Sequence, residues 1–270
     1  MAFSEIASRG LVMLGCGKMG SAMLEGWLDR DLPPTSVHVV DPSPSDWLKR
    51  QGVSLNAELP GSPAVVLLAV KPQMMAEALP SVARYGGGET LFVSVAAGTP
   101  IATFEAALGR ETRIVRAMPN TPAAIGKGIS AIVGNGAAGA EDLAMAEALL
   151  SAVGQVVRLD AEAQIDAVTG VSGSGPAYVF YMIDALAEAG EAEGLPRDLA
   201  MELAKATVAG AGALAQSADE TPEQLRINVT SPNGTTQAGL EVLMDRERGL
   251  SPLIRRTVAA AATRSRELRG

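Results

Sequence analysis

Short apolar runs recur through the first half of the chain, each closed by glycine, proline or a polar residue. They are LVMLG at 11–15, VHVVD at 37–41, AVVLLAV at 64–70, TLFVSVAAG at 90–98, TRIVRAMP at 112–119 and GISAIVG at 128–134. Their brevity and their β-branched content predict buried strands. Stretches with helical spacing separate several of them, notably 21–31 and 101–109. Strand–helix–strand alternation predicts a parallel sheet with helices on both faces, an α/β Rossmann-like domain over residues 1–160. After GQVVRLDAEA the strand pattern stops and only helical spacing follows, over 163–168, 176–193, 197–218, 222–229, 235–246 and 252–268. Thr221, Pro222 and Gln224 predict an N-cap, a first-turn proline and a capping-box partner, and Ser251 with Pro252 repeats the cap-then-proline pattern. The reading is therefore an all-α C-terminal domain over residues 161–270, with no low-complexity linker and no internal repeat.

One of these helices changes the picture. Behind SGSGP, Tyr178, Val179, Phe180, Tyr181, Met182, Ile183, Ala185 and Leu186 are apolar on most sides of the turn. Such a helix is buried in a core or in a subunit interface. A helical unit of about 110 residues can hardly enclose several of them alone. A homodimer that interlocks these helices is expected.

Composition narrows the function classes. The 270 residues suit two modest domains, and 47% apolar with only 3% aromatic residues predicts an aliphatic core. A net charge of −8 argues against a nucleic-acid partner or an anionic membrane surface. The first residues, MAFSEIASRG, do not read as a signal peptide, and no stretch reaches the roughly 18 apolar residues of a membrane span. The single cysteine, Cys16, leaves no internal disulfide and fits a reducing, cytoplasmic setting. His38 is the only histidine, so no multi-histidine metal site or histidine-based triad is available, and no metal is expected.

The first strand ends in GCGKMG, residues Gly15, Cys16, Gly17, Lys18, Met19 and Gly20. In G-x-G-x-x-G between a strand and a helix, the first glycine permits the tight turn. The second admits a pyrophosphate, and the third lets helix pack on strand. The helix start adds free N–H groups and a partial positive charge. A dinucleotide, NADH or NADPH, is the expected ligand; a glycine-rich turn without a ligand is the plainer reading. Cys16 reads as a small space-filler, with a redox role as the lesser alternative. Asp41 lies 21 residues beyond Gly20, at the end of the next strand. There a carboxylate bonds both ribose hydroxyls of NAD and repels the 2′-phosphate of NADP. Asp41 also reads as a turn residue before Pro42, and Ser43, Ser45, Lys49 and Arg50 would serve a phosphate if the loop turned toward it, so the choice of nucleotide stays open. Ala69, Val70, Lys71 and Pro72 follow the third strand, and Ala96, Ala97 and Gly98 follow the fourth. Both loops leave carboxyl ends of strands, where open α/β sheets bind ligands. Lys71 is either a solvated loop lysine or a phosphate contact. Asn120 and Thr121, held between two prolines, suit either a structural turn or a rigid wall for the cofactor ring.

In the second half, NVTSPNGTTQAGLEVLMD opens a helix behind a turn rich in hydroxyls. Free N–H groups with Ser231, Thr235 and Thr236 beside them make an anion site without any arginine, matched to a small carboxylate. A simple helix cap is the alternative.

GCGKMG, AVKP, MPNTP, TGVSGSGPAYVF and NVTSPNGTTQAGLEVLMD occur in an order and spacing that resemble the pyrroline-5-carboxylate reductases along nearly the whole chain. The last two stretches are specific to that family; the first is common to many dehydrogenases. The resemblance implies reduction of 1-pyrroline-5-carboxylate to L-proline with NAD(P)H, the last step of proline synthesis. It implies a dimer built through C-terminal helices, which members of the family often assemble further into a decamer. It places Ser231, Thr235 and Thr236 on the substrate, with Thr236 as the catalytic residue nearest the ring nitrogen. It sets Ser172, Gly173 and Ser174 in or beside the same pocket, and Asn56 on the adenosine ribose. Two positions depart from the family: Asn233 stands where a second glycine is usual, and Asp41 departs from members that prefer NADPH. Asparagine tolerates a left-handed backbone better than most residues, so the turn is expected to survive. A protonated cyclic imine accepts a hydride without a strong acid, and positioning alone supplies about 7–11 kcal/mol. A β-hydroxyacid dehydrogenase is disfavoured because no lysine lies between Gly128 and Lys205. A reductase of another cyclic imine and a non-catalytic NAD(P)H sensor are the remaining alternatives.

Overall fold

The computed structural model describes residues 2–268, and the chain divides into two compact units. The first runs to Gly173 and regains the end of the last helix from Ala261 onward; the second is Ser174–Ala260. This division differs from the predicted one at residue 160. The segment after the last strand packs with the sheet because Ile165 is buried in its core and Glu162 bonds both Arg116 and the Ile101 N–H. Asp166, also buried, accepts a 2.8 Å hydrogen bond from Ser265 and so ties down the returning helix. Met1 and Arg269–Gly270, which end the two predicted domains, lie outside the described residues.

The first unit is built on eight strands: β1 Leu11–Leu14, β2 Val37–Val40, β3 Ser54–Leu55, β4 Val65–Leu68, β5 Leu91–Ser94, β6 Ile114–Met118, β7 Gly128–Gly134 and β8 Gly154–Arg158. They lie in the order β3-β2-β1-β4-β5-β6-β7-β8. Side chains alternate between the two faces, so Leu11 and Met13 enter one buried cluster while Val12 and Leu14 enter the other. Burial on both faces is the reason the strands read as continuous apolar runs. The first face is covered by Ile6 of α1 (Ala2–Arg9), Met23, Leu24 and Trp27 of α2 (Lys18–Leu28), and Leu149 and Leu150 of α5 (Ala140–Leu150). The second face is covered by Met75 of α3 (Met75–Ala78) and Phe104 of α4 (Ile101–Leu108).

The sheet departs from the predicted all-parallel form at one place, where β7 pairs antiparallel with β6. Only residues 119–127 join them, and a parallel crossover needs about a dozen or more. The helix α5 then supplies a crossover, and β8 pairs parallel with β7. Four elements lay outside the sequence expectations: the strand β3, only two residues long, the short helices α1 and α3, and α5, AEDLAMAEALL, whose many alanines blur its helical stripe.

The second unit is helical: α7 Gly175–Ala192, α8 Arg197–Ser217, α9 Pro222–Asn228, α10 Thr235–Leu243 and the start of α11 Leu250–Glu267. Between β8 and α7, in the first unit, lie α6 Ile165–Val168 and a π-helical turn Thr169–Gly173. The Thr221 side chain caps α9 by accepting from the Gln224 N–H at 3.2 Å. The reciprocal half of the predicted capping box is not formed, because Gln224 turns down the helix to Asn228. Ser251 is not a cap either: α11 starts one residue earlier, and Pro252 sits in its first turn, where a missing N–H costs no helical hydrogen bond.

Candidate active site

The sheet reverses its strand order at β1, with β2 on one side and β4 on the other. Ligands of open α/β sheets bind at such a reversal, outside the carboxyl ends of the strands. Gly15 stands there with φ +82°, and its N–H donates to Val40 O at 2.8 Å. A Cβ at Gly15 would lie 2.9 Å from Val70 Cγ1 and 3.0 Å from Ala69 O, so the β1 and β4 ends can close only around glycine. At Gly20 a Cβ would meet Gly15 O at 3.0 Å. Gly17 is different: a Cβ there would touch nothing within 4 Å, so its open side faces free space. It is also the N-cap of α2, and no side chain caps that helix. Lys18 is exposed on the first turn, while Met19 packs against the core below. An uncapped helix start beside an open glycine fits the pyrophosphate of a dinucleotide.

Asp41 closes this loop from the end of β2. Its Oδ2 accepts the Cys16 N–H at 2.7 Å and its Oδ1 accepts the Ser43 N–H at 2.8 Å. Asn56, left-handed at φ +50°, grips the Asp41 backbone with both ends of its amide. Oδ1 accepts the Asp41 N–H at 2.9 Å, and Nδ2 donates to Asp41 O at 2.8 Å. Leu14, Val40, Pro42, Val70, Met74 and Ala78, together with Glu77 and Ser81, line an adjoining cavity of about 210 Å³ whose mainly apolar walls suit a flat aromatic base. Pro42 and Met74 were not expected at the site. Their only signal was position, one residue past Asp41 and three past Lys71.

The other predicted cofactor residues share this edge of the sheet. Ala69 is held by its N–H on Leu14 O at 2.8 Å, and Lys71 and Pro72 lead exposed into the 3-10 turn Pro72–Met74. Beyond β5, Ala96 donates its N–H to Ser94 Oγ, Ala97 is exposed, and Gly98 turns at φ +75° against Leu268. Asn120 is buried and bonded at both ends of its amide, accepting the Ile129 N–H at 2.9 Å and donating to Ser172 O at 3.2 Å. It therefore anchors the π-helical turn that contains Ser172 and Gly173. A Cβ at Gly173 would come within 2.6 Å of Met118 Cε. π-helical turns recur at functional sites. Ser174 follows as the N-cap of α7. Cys16 is buried, and burial pushes its thiol up; the nearby Asp41 carboxylate adds to the rise and a hydrogen bond with Ser21 opposes it. That environment suits the space-filling role rather than a reactive thiolate.

In the second unit, Ser231, Thr235 and Thr236 share one exposed turn. Asn233 adopts the left-handed conformation at φ +57°, as expected of a residue standing in for glycine. The Gly234 N–H donates to Ser231 O at 3.0 Å, and the Asn233 N–H donates to Gln237 Oε1 at 2.8 Å. Gly234 is the N-cap of α10 and offers no capping side chain, so the N–H groups of the first turn remain available. Gln237 was not anticipated; its signal was a polar side chain four residues beyond Asn233, one helical turn on. The predicted residues thus fall into two sets, one in each unit.

Comparisons with known proteins match segments in both halves of the chain. Residues 162–268 match the family description "Pyrroline-5-carboxylate reductase dimerisation", and residues 11–98 match "NADP oxidoreductase coenzyme F420-dependent". A pyrroline-5-carboxylate reductase of Pseudomonas aeruginosa is 40% identical over 264 residues, covering 96% of each chain. The structure of a pyrroline-5-carboxylate reductase from Coxiella burnetii superposes with a TM-score of 0.89 at 32% identity, over 97% of this chain and 99% of that one. The Plasmodium falciparum pyrroline carboxylate reductase, solved with NADP bound, has a TM-score of 0.81 at 27% identity, over 97% and 98%.

Proposed function

The chain belongs to the pyrroline-5-carboxylate reductase family, and from that premise we propose how its residues carry out the reduction of 1-pyrroline-5-carboxylate to L-proline. When bound, NAD(P)H supplies the hydride that the imine carbon accepts. Gly15, Gly17 and Gly20, with the uncapped start of α2, receive the pyrophosphate. Asp41 and Asn56 receive the adenosine ribose. Ala69, Val70, Lys71 and Pro72 flank the dinucleotide on one side, and Ala96, Ala97 and Gly98 flank it on the other. Asn120 shapes the wall through the turn it anchors, and Ser172, Gly173 and Ser174 border the substrate. Ser231, Thr235 and the first N–H groups of α10 hold the substrate carboxylate. Thr236 hydrogen-bonds the ring nitrogen, orients the imine and relays a proton to it from water.

One observation carries this reading: the start of α10 is uncapped, approached by a left-handed turn, and surrounded by three exposed hydroxyl residues. An anion site of that kind has no use in a nucleotide sensor. The functional form is a homo-oligomer of dimers joined through the helical unit, assembled further into a decamer, and it works in the cytoplasm. The dimerisation match over residues 162–268 supports the dimer, and the free, buried Cys16 fits a reducing cytoplasm.

The test is oxidation of reduced nucleotide at 340 nm with pyrroline-5-carboxylate. Turnover is expected. Thr236→Ala is expected to lower kcat by about a hundredfold, within the range of a lost proton-transfer partner, with nucleotide affinity unchanged. Equal loss of turnover and affinity would remove Thr236 from its role. Binding of nucleotide without turnover would move the substrate to another cyclic imine.

A further inference from the structure

We propose that Asp41 makes NADH, rather than NADPH, the preferred reductant of this chain. The proposal rests on the dinucleotide reading of the first unit and not on the identity of the imine. A carboxylate has about four acceptor sites over its two oxygens and no donor. Here each oxygen already accepts one backbone N–H, from Cys16 at 2.7 Å and from Ser43 at 2.8 Å. Each keeps acceptor capacity, and Asp41 is only half-buried. Two remaining acceptors match the two hydroxyls of an unmodified ribose. A 2′-phosphate brings further negative charge and oxygens that accept, so it meets both repulsion and unpaired acceptors.

The carboxylate is not free to turn aside. Its own two hydrogen bonds hold the side chain to the glycine loop. Asn56 holds the backbone of the same residue at 2.9 Å and 2.8 Å, from a left-handed conformation that suits asparagine. Two of the groups that would welcome a phosphate are engaged elsewhere in the loop: the Ser43 N–H is taken by Asp41, and Lys49 pairs with Asp46 at 2.9 Å. Ser45 Oγ accepts the Leu48 N–H at 3.2 Å and keeps its own O–H as a donor. Arg50, exposed at the end of the turn Leu48–Arg50, is the cation that would have to reverse the preference.

The experiment measures dissociation constants of NADH and NADPH on the full chain by nicotinamide fluorescence, together with kcat/KM for each. NADH is expected to bind at least about tenfold more tightly, the scale of one hydrogen bond to a charged group. Asp41→Ser is expected to shrink that ratio about tenfold or more, chiefly by strengthening NADPH binding. Asp41→Asn is a second variant, and thermal melting of both checks that the loop remains folded. Arg50→Ala is expected to leave the ratio unchanged. The proposal is overturned if the wild-type chain binds NADPH as tightly as NADH, if folded Asp41 variants keep the ratio, or if Arg50→Ala selectively weakens NADPH. Tighter NADH binding without turnover of pyrroline-5-carboxylate would uphold Asp41 and discard the substrate. Failure to bind either nucleotide would discard the dinucleotide reading and Asp41 with it.

Discussion

The two units bury opposite kinds of residue. In the first, Trp27, Phe92, Phe104 and a dozen or more aliphatic side chains are sealed between helices and sheet. In the second, the buried cluster among the described residues is Ala187, Ala200 and Ala204, supported by Ile183 and Met201. Its large apolar residues face outward instead: Val179, Met182 and Leu186 along α7, Leu199, Leu203 and Leu214 along α8. Small residues let α7 and α8 close tightly, and a Cβ at Gly190 would already lie 3.3 Å from the Ala200 Cβ. What the helices gain in contact they lose in buried area, so most of their hydrophobic surface is left for another chain. Rows of exposed large apolar side chains on two neighbouring helices mark an association surface. The first unit carries its own core; the second shares one, which is what a dimerisation domain must do.

The strongest way to break this contrast is to charge the outward stripe. Leu203→Glu is expected to dissociate the oligomer and abolish most activity. Burying an unpaired carboxylate in an apolar interface costs at least as much as losing a hot spot, about 2–4 kcal/mol, or thirtyfold and more in the dissociation constant. Light scattering coupled to size-exclusion chromatography reads the mass. An unchanged mass, with Leu199→Glu and Tyr181→Glu also harmless, would mean that these stripes face solvent in the working enzyme.

A smaller effect separates the units from the other side. Arg116 of β6 is 1% exposed and donates to Glu162 at 2.5 Å, and the same Glu162 oxygen accepts the Ile101 N–H at the start of α4. Glu162→Ala leaves a buried guanidinium without this partner. Breaking a buried pair costs about 3–5 kcal/mol, and the low end applies because Glu162 is 27% exposed. The melting temperature should fall while the oligomer keeps its mass. A fall in both would show that the first unit does not stand alone.

Different physics also decided what was legible beforehand. Strands buried on both faces give dense apolar runs, so β1, β2, β4, β5, β6 and β7 could all be found in the sequence, as could the glycine fingerprint and the hydroxyl turn before α10. The direction of β7 was legible too, though it was not read: the eight residues between the runs at 112–119 and 128–134 are too few for a parallel crossover. The contacts that group residues 162–173 with the sheet were not legible because they are long-range: Arg116 with Glu162, Asn120 with Ser172, Asp166 with Ser265. Asp41 and Asn56 were expected at the cofactor. That they hold each other, and that Asp41 also holds the glycine loop, depends on three segments meeting at the end of β2.

The smallest effect probes the core of the first unit directly, through pH. Burial raises the Cys16 thiol above its ordinary value of 9.0, so the folded state holds that proton more tightly than the unfolded chain does. The resulting stability is fully present below pH 9.0 and is lost as pH rises through the higher folded value. Urea midpoints at neutral pH and at about pH 9.5, on either side of the usual thiol range, should therefore fall more for the wild-type chain than for Cys16→Ala. At neutral pH the native thiol should also react slowly with iodoacetamide and quickly once unfolded, because only the thiolate attacks. Bound nucleotide should slow the native reaction further, since Cys16 lies inside the loop that Asp41 closes. Fast alkylation of the folded protein at neutral pH would place the thiol in water, and the tight closure of the glycine loop by Asp41 would have to be given up with it.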